Sequence, residues 1–345
     1  MIHIDGSQGE GGGQVLRSAL SLAVITGKAI RIDKIRARRP KPGLMAQHLQ
    51  AVQAAAAISE GRVEGAKLGS TMLTFEPQGL FSGTFRFEIG TAGSTSLVLQ
   101  TILVPLSLAG GASQVTIRGG THVPWSPSFH YLQRHWQPMM RRIGFDFDLE
   151  LVKAGFYPRG GGEIRCRIRP AGRLLPLILT ERGACRGITG ISAVAMLDER
   201  IAERQRAQMI KRLGGEPLPI LIEIRKLAAG SPGTMLLFEA EFEWSRWCTC
   251  TLGARGKPAE RVADEAVEAY LTFVASGAAV DSYLADQLVL ALALAHGTSE
   301  LYCSDISQHL LTNAGVISAF IPVAIEIRGA LGVVGWVHVE GAQLN

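Results

Sequence analysis

The chain is poor in charged and aromatic side chains, and it has no apolar run long enough to cross a bilayer. Charged residues make up 19% of the 345 residues and aromatic residues 6%, whereas hydrophobic residues reach 47%. A chain this apolar can bury a large core, which excludes a largely disordered protein. Its longest apolar runs, residues 97–109 and 288–295, are too short for a transmembrane helix. We therefore expect a globular protein that has no membrane partner.

Cysteine is also scarce, and the sequence begins without the features of an export signal. The five cysteines are odd in number and scattered, which is typical of reduced thiols. Cys248 and Cys250 lack a second pair or a nearby histidine, so we expect no zinc site there. No basic segment followed by an apolar one opens the chain. Both features favour a cytoplasmic location.

Positive charge is concentrated in one stretch of the chain. The net charge is only +5, but residues 31–41 contain six basic side chains and one acid, Asp33. This density favours phosphate binding and a polyanionic partner. Two further basic groups, at residues 134–142 and 159–173, are equally typical of a solvated surface.

A unit of helix, glycine stop, strand, loop and helix recurs three times. In the first copy, residues 14–25 have apolar positions at helical spacing, and Gly27 suits the end of that helix. A strand at 29–35 and a second helix at about 44–58 complete it. The second copy has a helix ending near 109, a strand at 114–118 and a helix at about 128–143. The third copy has a helix at 280–295, a strand at 299–303 and a helix at 307–320.

Alternating, strand-like segments fill the stretches between these units. The pattern predicts an α+β fold of three stacked repeats, each with two helices on a four-stranded sheet. Between the second and third copies, residues 182–276 contain additional strands and helices, which predicts a smaller inserted α/β domain. Residues 1–181 and 277–345 are then expected to form the repeat-built catalytic domain.

His309 is the first candidate for chemistry. It lies in the first turn of a predicted helix, after the capping residue Ser307. The partial positive charge at a helix N-terminus disfavours imidazolium, and a neutral imidazole can act as a nucleophile. The repeat provides two competitors at similar places, His48 and His130. Position alone leaves all three open as nucleophiles, capping residues or packing residues.

A glycine-rich turn, residues 6–14, precedes the first helix and exposes a chain of backbone N–H groups. Together with Arg17 it predicts an anion site, although it matches neither a Walker A loop nor a dinucleotide fingerprint. Glu10 within the turn needs a metal or an arginine partner unless it is a solvated turn residue. On a helix of the third copy, Tyr283 and Asp286 share a face, as an aromatic platform beside a carboxylate would.

Taken together, these segments resemble the RNA 3′-terminal phosphate cyclase family. The likeness covers most of the repeat core in the right order and is weak across the insert. The matching segments are DGSQGEGGGQ at 5–14 with Arg17, residues 35–43 with Gln47 and His48, GTAGS at 90–94 with Gln100, residues 155–162, YLADQ at 283–287 and HLLTN at 309–313.

The resemblance implies an ATP-dependent reaction in three steps. The family's nucleophilic histidine falls on His309, which would take AMP from ATP as a histidine–AMP intermediate. AMP would pass to an RNA 3′-phosphate to give an RNA–adenylate, and the vicinal 2′-oxygen would then displace AMP. The product would be an RNA with a 2′,3′-cyclic phosphate.

The resemblance also assigns the residues around His309. The residues expected to bind ATP or AMP are Gln100, Pro127, Tyr131, Tyr283, Asp286 and Gln287. Those expected at the phosphates or the RNA end are Arg17, Arg36, Arg39 and Gln47. Glu10 and Asp286 are the candidates for a divalent metal, Mg²⁺ or Mn²⁺. His130 stands where the family commonly has an acid.

Two other functions are considered, together with the oligomeric state. A non-catalytic, cyclase-like protein of ribosome assembly would be expected to lack the nucleophilic histidine. An enolpyruvyl transferase also stacks related α+β units, but its chemistry needs neither a histidine nucleophile nor the pair Tyr283 and Asp286. A homodimer is compatible with the sequence.

Overall fold

The protein is described from a computed structural model over residues 1–215 and 218–342, and four four-stranded sheets lie within these ranges. The first repeat contains β1 (Ile2–Asp5), α1 (Gln14–Thr26), β2 (Ile30–Asp33), α2 (Ala46–Ser59), β3 (Arg62–Glu64) and β4 (Leu73–Glu76). The second contains β5 (Thr84–Glu88), α3 (Thr95–Ser107), β6 (Ser113–Gly119), α4 (Phe129–Tyr131), a π-helical turn (Leu132–Trp136), α5 (Gln137–Ile143), β7 (Phe147–Lys153) and β8 (Gly162–Ile168).

The third repeat begins with β9 (Ile178–Leu179) and is then interrupted. The interrupting segment contains β10 (Cys185–Ala195), α6 (Arg200–Leu213), β11 (Ile220–Lys226), β12 (Gly233–Phe242), β13 (Arg246–Leu252) and α7 (Ala259–Ser276). The repeat resumes with α8 (Ser282–Ala293), β14 (Thr298–Cys303), α9 (Gln308–Phe320), β15 (Ala324–Arg328) and β16 (Gly335–Glu340).

Strand order shows that the three repeats share one topology. Their sheets run β1-β2-β4-β3, β5-β6-β8-β7 and β9-β14-β16-β15. In each, the first two strands are parallel and the other pairs antiparallel. The prediction of three repeats, each with two helices on a four-stranded sheet, is confirmed. The inserted sheet has the different order β11-β10-β12-β13, so it is no fourth copy.

Side-chain patterning explains how these layers pack. Buried and exposed residues alternate along β6 and β8, which gives each strand one face on the core. Helix α3 is buried at nearly every position because α1 and α2 both pack against it. Helix α1 also contacts α9, and α9 contacts α8, so helices from all three repeats meet. In the described part of the chain, no helix is both long and apolar enough to span a membrane.

The helix expected at about 128–143 differs from its prediction at one turn. Residues Leu132–Trp136 form a π-helical turn, in which the N–H of Gln137 donates to the carbonyl of Leu132. Pro138 follows directly, and it has no N–H to donate to the carbonyl four residues earlier. The regular hydrogen-bond ladder is therefore broken at this point, and the turn widens.

The insert contacts the repeats through one face of its sheet. Ile191 and Met235 on that face belong to the core shared with the repeats. The other face is covered by α6 and α7 around a second cluster of buried side chains. The segment before β12 reaches the second repeat through its backbone, since Gly230 donates to the carbonyl of Ala154 over 2.8 Å. The proposed limits of the inserted domain, residues 182 and 276, stay predictions.

The contact at Gly230 has no room for a side chain, which gives a stability prediction. A Cβ there would lie 2.1 Å from the carbonyl oxygen of Gly161, a backbone atom that cannot rotate away. We expect Gly230→Ala to lower the free energy of unfolding by about 2–3 kcal/mol in urea titrations. Gly110→Ala is the control, because nothing lies within 4 Å of its Cβ position. Equal stability of the two variants would contradict this account.

Candidate active site

The glycine-rich turn between β1 and α1 lies against the first turns of α9. Gly9 and Gly11 have φ values of 60° and 59°, in the left-handed region that glycine adopts without strain. A Cβ on Gly9 would lie 2.0 Å from the hydroxyl of Thr312 on α9. Glycine is therefore required here both for the turn and for its close approach to the helix that carries His309.

His309 meets a carboxylate and an arginine from two other segments. Ser307 caps α9, its hydroxyl accepting from the N–H of Leu310 over 3.1 Å. One turn of helix then places His309 Nε2 3.1 Å from Glu10 Oε2. The same carboxylate oxygen lies 2.6 Å from the guanidinium of Arg39. The side chain of His309 is 40% exposed, so this group faces a space that a substrate can enter.

The environment of His309 favours the neutral ring. Burial lowers the pKa of the imidazole, Arg17 and Arg39 lower it further, and only Glu10 acts in the opposite direction. Nδ1 is buried and has no hydrogen-bond partner among the described residues. A neutral imidazole keeps a lone pair on one ring nitrogen, which is the form suited to nucleophilic attack.

The two competing histidines occupy different environments. His48 is buried, and its Nδ1 accepts from the N–H of Met45 over 3.2 Å at the start of α2. Burial lowers its pKa to about 3. His130 is buried too, with Nδ1 2.7 Å from Nε2 of His122, and burial lowers its pKa to about 4. Both rings serve local structure, whereas the ring of His309 reaches an open site.

A network of amides and one acid joins helices from the first and third repeats. Asn313 on α9 accepts from Gln14 over 2.9 Å and from the hydroxyl of Ser18, and it donates to Asp286 on α8. Burial raises the pKa of Asp286 to about 7, while Arg17 and Asn313 lower it. Asp286 therefore carries only part of a charge at neutral pH.

This network forms one wall of an open cavity between the helices. Gln100 on α3 reaches across it and donates to Gln287 on α8 over 2.8 Å. The lining residues are Gln14, Arg17, Ser18, Ser21, Gln100, Val104, Trp136, Asp286, Gln287, Leu290 and Asn313.

Three residues expected to contact ATP are not among those lining the cavity in the described ranges. Tyr131 is buried, and its ring packs edge-on against His135 with centroids 5.2 Å apart. Pro127 lies half-buried in the loop before α4. Tyr283 is 72% exposed in the first turn of α8, so a ring stacking on it would lie outside the cavity described above.

The side chains expected at the phosphates or the RNA end differ in how many hydrogen bonds they already make within the protein. Burial lowers the pKa of Arg17 to about 10, which still leaves it positive at neutral pH. Arg36 donates from Nη1 to the carbonyls of Lys41 and Gly43, so part of its guanidinium holds the basic loop together. Gln47 accepts from the N–H of Ser94 over 2.9 Å and joins α2 to the turn before α3.

Glu10 and Asp286 are the two carboxylates expected from the sequence at a divalent cation. The charge of Glu10 helps to raise the pKa of Asp286. No cluster of three potential ligands occurs in the described residues.

Asn313, Gln14 and Trp136 were not singled out from the sequence as site residues. For Asn313 the available signal was its spacing, since it lies four residues after His309 and so on the same side of α9. Gln14 and Ser18 show the same spacing on α1. Trp136 had no comparable signal, because a tryptophan in an apolar helix is ordinarily a core residue.

The fold and the site define a three-repeat α+β enzyme in which a neutral histidine, a carboxylate and arginines meet beside a cavity. The chain belongs to the RNA 3′-terminal phosphate cyclase family, whose family model matches residues 8–327.

Relatives named RNA 3′-terminal phosphate cyclase align along nearly the whole chain. The protein of Ralstonia nicotianae is 47% identical over 95% of this chain and 93% of its own length. Those of Methylococcus capsulatus and Hyperthermus butylicus are each 43% identical, over 99% and 100% of this chain and 97% and 96% of their own. Family membership decides against the enolpyruvyl transferase alternative.

Among solved structures, the enolpyruvyl transferase NikO of Streptomyces tendae is similar with a TM-score of 0.40 and 10% identity, over 99% of this chain and 48% of that one.

The raised pKa of Asp286 gives a prediction about stability and pH. Because the pKa rises on folding from 3.8 to about 7, its stabilising effect is complete below about pH 4 and is lost as the pH rises through about 7. Asp286→Asn is neutral at every pH, so we expect its melting temperature relative to the native protein to increase from about pH 5 to about pH 8.

The control for this measurement is Glu88→Gln, which changes an exposed carboxylate on β5. Its melting temperature relative to the native protein should not follow the same trend. A constant difference between Asp286→Asn and the native protein across this pH range would show that Asp286 is fully ionised when folded.

Proposed function

We propose that the protein uses ATP to convert the 3′-terminal phosphate of an RNA into a 2′,3′-cyclic phosphate. The observation that carries this proposal is the neutral ring of His309, which lies 3.1 Å from Glu10 beside Arg17 and Arg39. The shared name of relatives that are 43–47% identical supports the same activity. A non-catalytic scaffold has no need of a half-exposed histidine in such surroundings.

In the first step, Nε2 of His309 attacks the α-phosphorus of ATP. Nε2 is the attacking atom because Nδ1 is buried, and the ring proton resides on Nδ1 during attack. An N–P bond forms while the bond from the α-phosphorus to the bridging oxygen breaks, and pyrophosphate leaves. Glu10 withdraws from Nε2 for this step and retains Arg39 as its partner.

In the second step, an oxygen of the RNA 3′-phosphate attacks the phosphorus of the histidine–AMP adduct. The N–P bond breaks, the imidazole is restored, and the RNA end is joined to AMP through an anhydride. In the third step, the adjacent 2′-hydroxyl loses its proton and attacks the terminal RNA phosphorus. AMP leaves with the anhydride oxygen, and the cyclic phosphate remains. Adenylation is needed because a phosphate monoester has no comparable leaving group.

Positive groups of the chain stabilise the charge that gathers on phosphorus. Arg17 and Arg39 flank His309, and a guanidinium can bind two phosphate oxygens at once. Arg36 and Gln47 lie along the basic loop and the start of α2, where they would contact the RNA end. Glu10 and Asp286 would hold a divalent cation, which when bound neutralises phosphate charge.

The adenosine would occupy the cavity between the helices. Gln100 and Gln287 offer amide groups across it, and Asp286, which also lines it, would accept from a ribose hydroxyl. Tyr283 and Pro127 would cover the base from outside the cavity, with Tyr131 supporting from beneath. The cavity's lining contains few charged groups, which suits a nucleoside better than a free triphosphate.

Adenylation with ATP labelled on the α-phosphate tests the nucleophile directly. We expect the native protein, given Mg²⁺ or Mn²⁺, to acquire an acid-labile and hydroxylamine-sensitive label, and His309→Ala to acquire only background, because no other described histidine shares its site. His3→Ala, which changes an exposed histidine on β1, should label normally. Full labelling of His309→Ala would exclude His309 as the nucleophile.

A cyclisation assay then follows the RNA. A 3′-phosphorylated oligonucleotide should become resistant to phosphatase only when ATP is present. If the native protein takes no label and leaves the RNA end sensitive to phosphatase, the non-catalytic alternative holds instead.

Glu10→Gln tests the role of the carboxylate. Loss of its charge weakens both the hold on a cation and the pairing with Arg39, so we expect adenylation to slow by about a hundredfold. The metal concentration for half-maximal rate should also rise. Glu64→Gln, a change to an exposed acid on β3, serves as the control. An unchanged metal dependence would remove Glu10 from the cation site.

A further inference from the structure

The π-helical turn at Leu132–Trp136 contacts two distant segments through consecutive residues. The Nε–H of Arg134 donates to Glu239 on β12 of the insert over 3.0 Å, and Glu239 is only 8% exposed. Nε2 of His135 lies 3.2 Å from Asp281 Oδ2, immediately before α8. Both partners in this second pair are less than a tenth exposed. A single turn therefore joins the insert to the start of α8.

Asp281 is the residue that begins α8. Its other carboxylate oxygen, Oδ1, accepts from the N–H groups of Tyr283 and Leu284, each over 3.1 Å. These are among the helix-terminal donors that have no partner within the helix. His135 thus holds one oxygen of the carboxylate while the other fixes the direction in which α8 starts.

The direction in which α8 starts determines where its cavity-lining side chains lie. Asp286 and Gln287 lie one turn further on, where Asp286 meets Asn313 and Gln287 accepts from Gln100. A helix transmits a tilt at its first turn as a rigid element, so a small displacement at Asp281 moves both side chains. Tyr283 lies in the same first turn and would move with them.

We propose that His135 is a positioning residue that sets the place of α8 in the nucleotide site, and that the insert supports it through Arg134 and Glu239. The kinetic part of this proposal rests on the proposed function. The turn's geometry suits the task, because its hydrogen bond from Gln137 to Leu132 spans five residues where a regular α-helix spans four, and a regular helix would present this pair of side chains differently. The insert thereby gains a role in shaping the site although it lines no part of the nucleotide cavity in the described residues.

Three variants separate this role from a purely structural one. His135→Leu removes the ring nitrogen that meets Asp281, and His135→Gln returns an N–H donor at a similar distance from the backbone. His338→Leu is the matched control, because His338 also pairs with a carboxylate, Glu300 at 3.2 Å, on the sheet of the third repeat. All three are compared with the native protein by amide hydrogen exchange and by adenylation kinetics.

We expect the amides of Tyr283 and Leu284 to exchange about tenfold faster in His135→Leu, while amides of α2 keep their native rates. The KM for ATP should rise about tenfold with a smaller change in kcat, because ground-state binding of the nucleotide is what α8 serves. His135→Gln should restore both values towards native. The control His338→Leu should match the native protein.

Glu239→Gln tests the contribution of the insert and leaves His135 intact. Weakening the contact with Arg134 should accelerate exchange at the same two amides by about two- to threefold and raise the KM for ATP in proportion. Native exchange rates at Tyr283 and Leu284 in both His135→Leu and Glu239→Gln would overturn the proposal. Hydrogen exchange needs no enzymatic activity, so a native protein that fails to take the label would count against the proposed function alone.

Discussion

The side chain of Asn313 is the point on which the site depends. It accepts from Gln14 and Ser18 of the first repeat and donates to Asp286 of the third. An amide suits this place because it offers an acceptor and a donor without carrying charge. The glycine turn, His309 and the cavity all adjoin helices that this one residue ties together. Burial of Asp286 beside it raises the pKa of that carboxyl to about 7.

Much of the fold could be predicted from the sequence, because local patterns determine it. The helices α1, α2, α8 and α9 lie within a few residues of their expected ranges, since their apolar spacing depends on the segment alone. The short strands β3 and β9 have three and two residues, too few to show an alternation. The π-helical turn was not predicted either, because its widening depends on Pro138 acting together with contacts to distant segments.

In the candidate site, the motifs could be predicted from the sequence, but the partners that surround them could not. His309 and the glycine turn are visible as motifs, but the sequence alone left three histidines equivalent. What separates them is the surroundings that folding creates: His48 accepts from a helix start, His130 pairs with His122, and His309 faces Glu10. Residues distant in the chain supply those partners. Spacing could therefore identify the equivalent helix position in each repeat. It could not show the electrostatic surroundings that make one ring suited to nucleophilic attack.

The repeat explains where the insert lies, and the contacts around its end show what holds the start of α8. In each unit the first strand leads to the first helix, through residues 6–13 in the first repeat and 89–94 in the second. In the third repeat the whole insert occupies this junction, between β9 and α8. The backbone just before α8 is tied to its own sheet, because the N–H groups of Ala279 and Val280 both donate to the carbonyl of Tyr302 on β14 over 3.0 Å. The cap of the helix, Asp281, is held in addition by His135 from the second repeat, and the insert is held by Arg134 on the same turn. In the third repeat, one turn thus adds a second constraint at the start of the helix that follows the insert.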